Sequence, residues 1–144
     1  MSLTGLASFD STVHLTNAWL GEICDELGWG SDRGRAYQGL RAVLHALRDR
    51  LPMGEVADLS AQLPLLVRGI YFEGWRPTGA AEGGKDHTKE QLIEHVAREL
   101  PPDLYGDAED VTRAVFRVIS RRVTGGEVED IRNSMPSRLR ELWD

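Results

Sequence analysis

Residues 36–71 read AYQGLRAVLHALRDRLPMGEVADLSAQLPLLVRGIY, and residues 108–143 read AEDVTRAVFRVISRRVTGGEVEDIRNSMPSRLRELW. The two stretches align without a gap, so that each residue of the first corresponds to the residue 72 positions later. Two unrelated amphipathic helices would explain the shared apolar positions, but they would not explain shared turn residues. The shared turn residues are Gly-Glu-Val at 54–56 and 126–128, Pro64 and Pro136. The sequence therefore predicts two copies of one structural unit.

Helical periodicity dominates both copies. Apolar residues recur three and four positions apart, as in amphipathic helices, and no stretch alternates at every second residue as a strand would. Asp32 is placed to cap the second helix, and Thr88 with Gln91 resembles a capping box. We predict an all-α fold of about eight helices in two pseudo-symmetric four-helix repeat units that share an interface. The predicted organisation is a single domain, 1–144, with repeat unit one at 9–75, a Gly-rich linker at 76–87 and repeat unit two at 88–144.

The composition restricts the compartment and the partners. The formal net charge of −6 disfavours general attraction to nucleic acid or to an anionic membrane. No apolar run approaches the roughly 18 residues of a membrane span, and the first six residues lack the basic and apolar regions of a signal peptide. Cys24 is the single cysteine, which excludes an internal disulfide. We expect a soluble, cytoplasmic protein that binds neither nucleic acid nor membrane.

Segments of both units resemble a known family. They are residues 40–52, 61–69, 71–77 and 126–128 and Met135-Pro136. On these residues the chain resembles the bacterial family catalogued as domain of unknown function 2267, and the resemblance extends from Phe9 to Trp143. It implies an all-helical fold, and it brings no activity and no binding residues with it.

Motifs that would support catalysis or metal binding are incomplete. Residues 79–85 fit the G-x-x-x-x-G-K pattern of a phosphate-binding loop, but Asp86 stands where that loop needs Ser or Thr, and no strand precedes it. We interpret this segment as a flexible linker. The four histidines lack the spacing of a zinc site, and acidic neighbours disfavour a thiolate at Cys24. We therefore expect no catalytic residue, no metal ligand and no cofactor, although an active site assembled from distant residues stays open.

The most aromatic segment is Tyr-Phe-Glu-Gly-Trp at 71–75. On a helix Tyr71 and Trp75 share one side and Phe72 points elsewhere, so all three side chains cannot easily enter one core. Either they seal the junction between the two units, or some of them line a groove or a contact surface. We take Tyr71, Phe72 and Trp75, together with Arg68, as the candidate binding residues.

Two pairs of residues give structural predictions. Trp75 and Trp143 each follow the last apolar turn of a unit, and we expect both to be mostly buried. Arg50 and Arg122 occupy matching sites shortly before an acidic turn. We expect at least one of them to pair with a carboxylate of that turn or with carbonyls at a helix end.

Three functions are compatible with the sequence. We favour a non-catalytic helical module that binds an unknown protein partner or assembles into a homo-oligomer. The alternative is a helical bundle that binds a small molecule in a pocket between the two units. An enzyme ranks third, because no catalytic motif is present.

Overall fold

The computed structural model describes residues 2–77 and 86–144, and all regular secondary structure in these ranges is helical. The fold is therefore all-α, as predicted. The helices are α1 (Ala7–Leu27), α2 (Arg33–Arg50), α3 (Met53–Ala61), α4 (Leu65–Phe72), α5 (Lys89–Glu99), α6 (Ala108–Arg122), α7 (Gly125–Asn133) and α8 (Ser137–Arg140), with 3-10 turns at Pro102–Asp107 and Glu141–Trp143.

Local sequence signals determine several helix ends. The Asp32 carboxylate accepts a hydrogen bond from the Arg35 amide and caps α2, as predicted. Thr88 and Gln91 form the predicted capping box at the start of α5. Helix α1 ends at Gly28, whose φ of 67° lies in the left-handed region that only glycine adopts without strain. These ends agree with the sequence because caps depend on residues close along the chain.

Helix boundaries recur at the offset of 72 residues. Helices α2 and α6 end at Arg50 and Arg122, α3 and α7 occupy 53–61 and 125–133, and α4 and α8 begin at 65 and 137. A side-chain contact recurs as well, because Arg68 donates to the carbonyl of Leu63 and Arg140 donates to the carbonyl of Met135. The boundaries agree with a repeat, and the two-unit architecture itself stays a prediction.

Helices α2 and α6 form the centre of the molecule. Each packs against α1, against α5 and against the other, so that buried side chains from both halves join one hydrophobic core. The two central helices approach closely at Gly39, where an added Cβ would lie 3.0 Å from Cγ1 of Val111. Two short helices, α3 and α7, also contact each other. The halves are therefore joined where α2 contacts α5 and α6, where α1 contacts α6, and where α3 contacts α7.

Trp75 and Trp143, which we expected to be mostly buried, differ in their exposure to solvent. Trp143 is buried, its ring stacks on Phe116 with 4.0 Å between centroids, and its indole N–H points to the sulfur of Met135. Trp75 packs against the edge of the core but is only half-buried. The prediction is therefore confirmed for Trp143 and only in part for Trp75, because the chain leaves the core directly after α4.

We expected at least one of Arg50 and Arg122 to pair with the acidic turn that follows it or with carbonyls at a helix end. Neither forms such a pair among the described residues. Both Nε and Nη2 of Arg122 contact the carboxylate of Glu22 on α1, with 2.6 Å between Nε and Oε2. Arg50 is buried, and its Nε has no hydrogen-bond partner among the described residues. The predicted pairing with the following turn is wrong for Arg122, because α1 brings a carboxylate nearer than the chain's own next turn does.

Candidate functional site

Tyr71 and Arg68, two of the four predicted binding residues, hold the first half together. Tyr71 is fully buried, and its hydroxyl donates a hydrogen bond to the carbonyl of Val56 on α3 at 3.0 Å. The guanidinium of Arg68 donates to the carbonyls of Ser60 and Leu63 at the end of α3. The Tyr71 hydroxyl is therefore satisfied inside the protein, whereas Arg68 is half-buried and uses only its Nε and Nη2 groups in these bonds.

Phe72 and Trp75 remain together at the surface. The centroid of the Phe72 ring lies 4.9 Å from that of Tyr71 and 5.2 Å from that of Trp75, so the three aromatic rings form a row. Phe72 and Trp75 are half-buried. A binding role therefore stays a prediction, and of the four residues only Tyr71 is fully buried.

A cluster of charged side chains lies between α2 and α5. His45 is buried, with Nδ1 lying 3.0 Å from Oε2 of Glu99 and Nε2 lying 2.8 Å from the carbonyl oxygen of Ile70. Because a carbonyl only accepts, Nε2 carries a proton and donates it there. Burial works to raise the pKa of Glu99, but the hydrogen bond and charge of His45, with Arg41 and His95, outweigh it and lower that pKa.

His95 extends this cluster toward Asp86. Its Nδ1 lies 3.0 Å from Oδ2 of Asp86, and its Nε2 lies 3.6 Å from Oδ2 of Asp49. The hydrogen bond to Asp86 is the main cause that raises the pKa of His95, against the opposing effect of burial. We predicted residues 78–86 to be exposed and irregular. Asp86 is instead largely covered and bonded, while residues 78–85 lie outside the described residues.

The contact between His95 and Asp86 gives a pH prediction. The pKa of His95 in the folded protein lies above its ordinary value of 6.5, so the stabilising proton is fully bound at lower pH and is lost as pH rises through the folded pKa. We expect the unfolding free energy to decrease over this range. Substitution His95→Gln should flatten this dependence, whereas the exposed neighbour His87→Gln should retain it. Urea unfolding at a series of pH values measures both, and an unchanged slope in His95→Gln would contradict the assignment.

The first half of α1 projects beyond the core. The first buried residue of the helix is Thr16, two turns after the helix begins. The turns before it carry exposed apolar side chains, since Leu6 and Phe9 are 50% and 49% exposed. Phe9 and Val13 lie four residues apart and share one helix face, and Leu6 is the N-cap residue directly before the helix; we call these three residues the α1 stripe.

The segment before α1 is fixed against the helix. The Asp10 carboxylate accepts hydrogen bonds from the amide and hydroxyl of Thr4 and from the hydroxyl of Ser2. These bonds lower the pKa of Asp10. Leu3 is thereby held beside the helix, where it forms one end of an open groove of about 540 Å³. The groove is lined by Leu3, Ala7, Asp10, Ser11, Val13, His14 and Asn17.

A smaller hollow lies between α1, the loop after α3 and the end of α6. Its volume is about 290 Å³, and it is open to solvent. It is lined by Leu15, Trp19, Gln62, Leu63, Pro64 and Arg122, so residues of both predicted units contribute to it.

Comparison with known proteins places the chain in a family. The model of the family described as "Uncharacterized conserved protein (DUF2267)" matches residues 16–142, nearly the whole chain. The chain belongs to the DUF2267 family. The match covers every helix from α2 to α8 and leaves the projecting turns of α1 outside it. No curated protein matches this DUF2267 chain. Within its described ranges, every helix is too short or too polar to cross a bilayer.

Sequence reasoning missed the α1 stripe. The apolar residues of α1 from Trp19 to Cys24 are buried, and the helix packs against α2 and α6. The stripe has the same spacing, but spacing alone does not say whether a face is covered. The sequence signal that indicates the stripe is the scarcity of charge in this segment. Asp10 is the one formally charged residue between positions 2 and 21.

Proposed function

We propose that the protein is a non-catalytic helical module that associates with a second copy of itself through the α1 stripe. The observation that carries the proposal is Phe9 in the middle of the stripe, whose side chain is 49% exposed. Exposed aromatic side chains on rigid helices are favoured anchors of protein interfaces.

The charge of the segment supports a second copy rather than a charged partner. Asp10 is the single formal charge from position 2 to 21, and it is already bonded to Ser2 and Thr4. A face of low charge does not repel its own copy, so it can contact itself across a two-fold axis. The net charge of −6 over the whole chain supports a protein partner over nucleic acid.

The geometry of α1 supports the same proposal. The helix is continuous from Ala7 to Leu27, and its second half is anchored in the core by Trp19, Ile23 and Cys24. The projecting turns are therefore presented on a rigid element, which lowers the entropy lost on binding. Two such helices packed antiparallel would bury both stripes, with each Phe9 near the centre of the contact.

The proposal includes a bacterial, cytoplasmic setting. A single, buried cysteine whose pKa is raised by burial agrees with a protein that does not depend on an oxidising compartment. Arg121 pairs with Glu22 and Glu26, which neutralises part of the basic surface of α6 and again favours a partner other than nucleic acid.

Analytical ultracentrifugation over a range of protein concentrations tests the proposal. We expect the wild-type protein to dimerise, and Phe9→Ser to weaken dimerisation by about 30-fold or more, as loss of a central aromatic anchor costs about 2 kcal/mol or more. The matched control is Tyr105→Ser, because Tyr105 is equally exposed (50%) and lies on the 3-10 turn before α6. It should dimerise like the wild type.

Two results would contradict the proposal. Equal dimerisation of both variants would show that the α1 stripe is not the interface. A wild-type protein that stays monomeric at every concentration would contradict self-association, and a different protein partner or the small-molecule alternative would then take its place. The hollow of about 290 Å³ supports that alternative, since both predicted units line it, but its volume lies at the lower limit of ligand pockets, which is about 300 Å³.

A further inference from the structure

The contact between α3 and α7 brings matching glutamates together. Glu55 and Glu127 lie 72 positions apart, and each is the third residue of its helix. Asp58 and Asp130 follow one turn later on the same helices, again at matching positions. Four carboxylates therefore lie where α3 and α7 bring the two halves into contact.

Glu127 does not cap the start of its own helix, α7, although its sequence position predicts that it would. Thr124 caps α7, and the spacing Thr-x-x-Glu predicts that Glu127 returns to the amide of Thr124 in a capping box. Gln62 takes this place instead. Its Oε1 accepts from the Thr124 amide at 2.7 Å, and its Nε2 donates to the Thr124 hydroxyl at 3.1 Å. The side chain of Glu127 is therefore released from capping and turns toward α3.

The released carboxylate is buried and unsatisfied. Glu127 is 6% exposed, and its Oε1 is buried without a hydrogen-bond partner. Oε2 of Glu55 is also buried without a hydrogen-bond partner. One oxygen of Glu55, one of Glu127 and one of Asp130 all lie within 4.8 Å of one another. Buried polar atoms without partners are rare in native proteins and call for a missing ligand or proton.

The charges around Glu127 have the same sign. Burial, followed by the charges of Glu55, Asp58 and Asp130, raises the pKa of Glu127 to about 7. The pKa of Glu55 is raised as well, by burial and then by Asp130 and Asp58. The positive ends of α3 and α7 offset only about half a charge each, which is far less than the charge of four carboxylates.

We propose that Glu55, Glu127 and Asp130 bind one hard divalent cation, and that Asp58 adds negative charge beside it. The three ligand groups offer only oxygen, which suits Mg²⁺, Mn²⁺ or Ca²⁺ rather than the nitrogen and sulfur sites of zinc. Asp130 is exposed, so the cation can enter from solvent and keep water on its remaining positions. The bound cation links α3 to α7 and thereby joins the two halves of the chain.

This site is independent of the α1 stripe. None of its residues lies on α1, so the failure of self-association would leave the cation site standing, and the reverse also holds. The competing explanation is a proton shared between Glu55 and Glu127, which would satisfy the same oxygens without a metal. The two explanations differ in their response to added cations.

Thermal unfolding of the chelator-treated, full-length protein with Mg²⁺, Mn²⁺ or Ca²⁺ chloride tests the proposal. At a cation concentration about a hundred times its dissociation constant, we expect the Tm to rise by about 5 °C or more. Calorimetric titration should show one cation per chain. Substitution Glu127→Gln should raise the Tm of the metal-free protein, because it removes the repulsion, and should abolish the rise with cation.

Two further variants keep the test decisive. Glu129→Gln is the matched control, because Glu129 lies two residues away on α7 and is exposed, and it should respond to cation like the wild type. If Glu127→Gln does not fold, Asp130→Asn at an exposed position should weaken cation binding at least about tenfold. A wild-type Tm that none of the three cations raises would overturn the proposal in favour of the shared proton. A rise that survives in Glu127→Gln or Asp130→Asn would overturn it as well.

Discussion

Replacing Trp143 by alanine is expected to lower the free energy of unfolding by about 3–5 kcal/mol, the usual cost of truncating a large buried aromatic residue. Trp143 is 6% exposed and stacks on Phe116, so the substitution leaves a cavity at the end of the molecule and removes a stacked aromatic pair. Denaturant unfolding followed by circular dichroism measures the change.

The matched control for Trp143 is Trp75→Ala. Trp75 is half-buried at the edge of the core, so the same substitution should cost only about 1–2 kcal/mol. Equal losses in the two variants would show that the exposed fraction of these side chains does not determine their contribution to stability.

Replacing Arg48 by methionine is expected to cost about 2–5 kcal/mol. Arg48 is 5% exposed, and its Nη1 donates to the carbonyls of Tyr71 and Glu73 at the end of α4, each at 2.9 Å. Methionine keeps most of the packing of the side-chain stem but leaves the buried carbonyl of Tyr71 without a donor, at about 1–3 kcal/mol, and removes the charge-assisted bond to the partly buried carbonyl of Glu73, at about 1–2 kcal/mol.

A second arginine of α2 provides the control for Arg48. Arg41 pairs with Glu73 at 2.6 Å, but both side chains are accessible to solvent. An ion pair of this kind contributes at most about 1 kcal/mol, so Arg41→Met should change stability far less. Urea unfolding compares the two variants, and a loss in Arg41→Met as large as that in Arg48→Met would refute the capping role.

Much of the fold follows from local sequence signals. The apolar spacing predicted the all-α fold, and Asp32 and Thr88 predicted the starts of α2 and α5. Matching Gly-Glu-Val and Pro positions predicted that helix boundaries would recur at a constant offset, and the boundaries next to these residues do, although α4 ends at Phe72 and α8 ends earlier in its unit, at Arg140. These features depend on residues within a few positions of one another, so one sequence is enough to find them.

Features that depend on distant residues were not predicted. Arg122 pairs with Glu22, 100 positions away, rather than with the acidic turn that follows it. Gln62 replaces Glu127 in the capping of α7 from 62 positions away, which is how Glu127 comes to lie in the carboxylate cluster. Tyr71 was a candidate for binding because aromatic residues serve both cores and interfaces, and only its contact with Val56 distinguishes the two.

The position of α1 has a consequence for how the chain folds during synthesis. Helix α1 packs against α6 as well as α2, and the ion pair of Glu22 with Arg122 joins residues 100 positions apart. A ribosome that adds about 5–20 residues per second needs roughly 5–20 s to make the chain between them. Throughout that interval the side of α1 that faces α6 has no native partner. The nascent first half therefore depends on the second half to complete its core, and a truncated product that stops before α6 would be a substrate for chaperones or proteases.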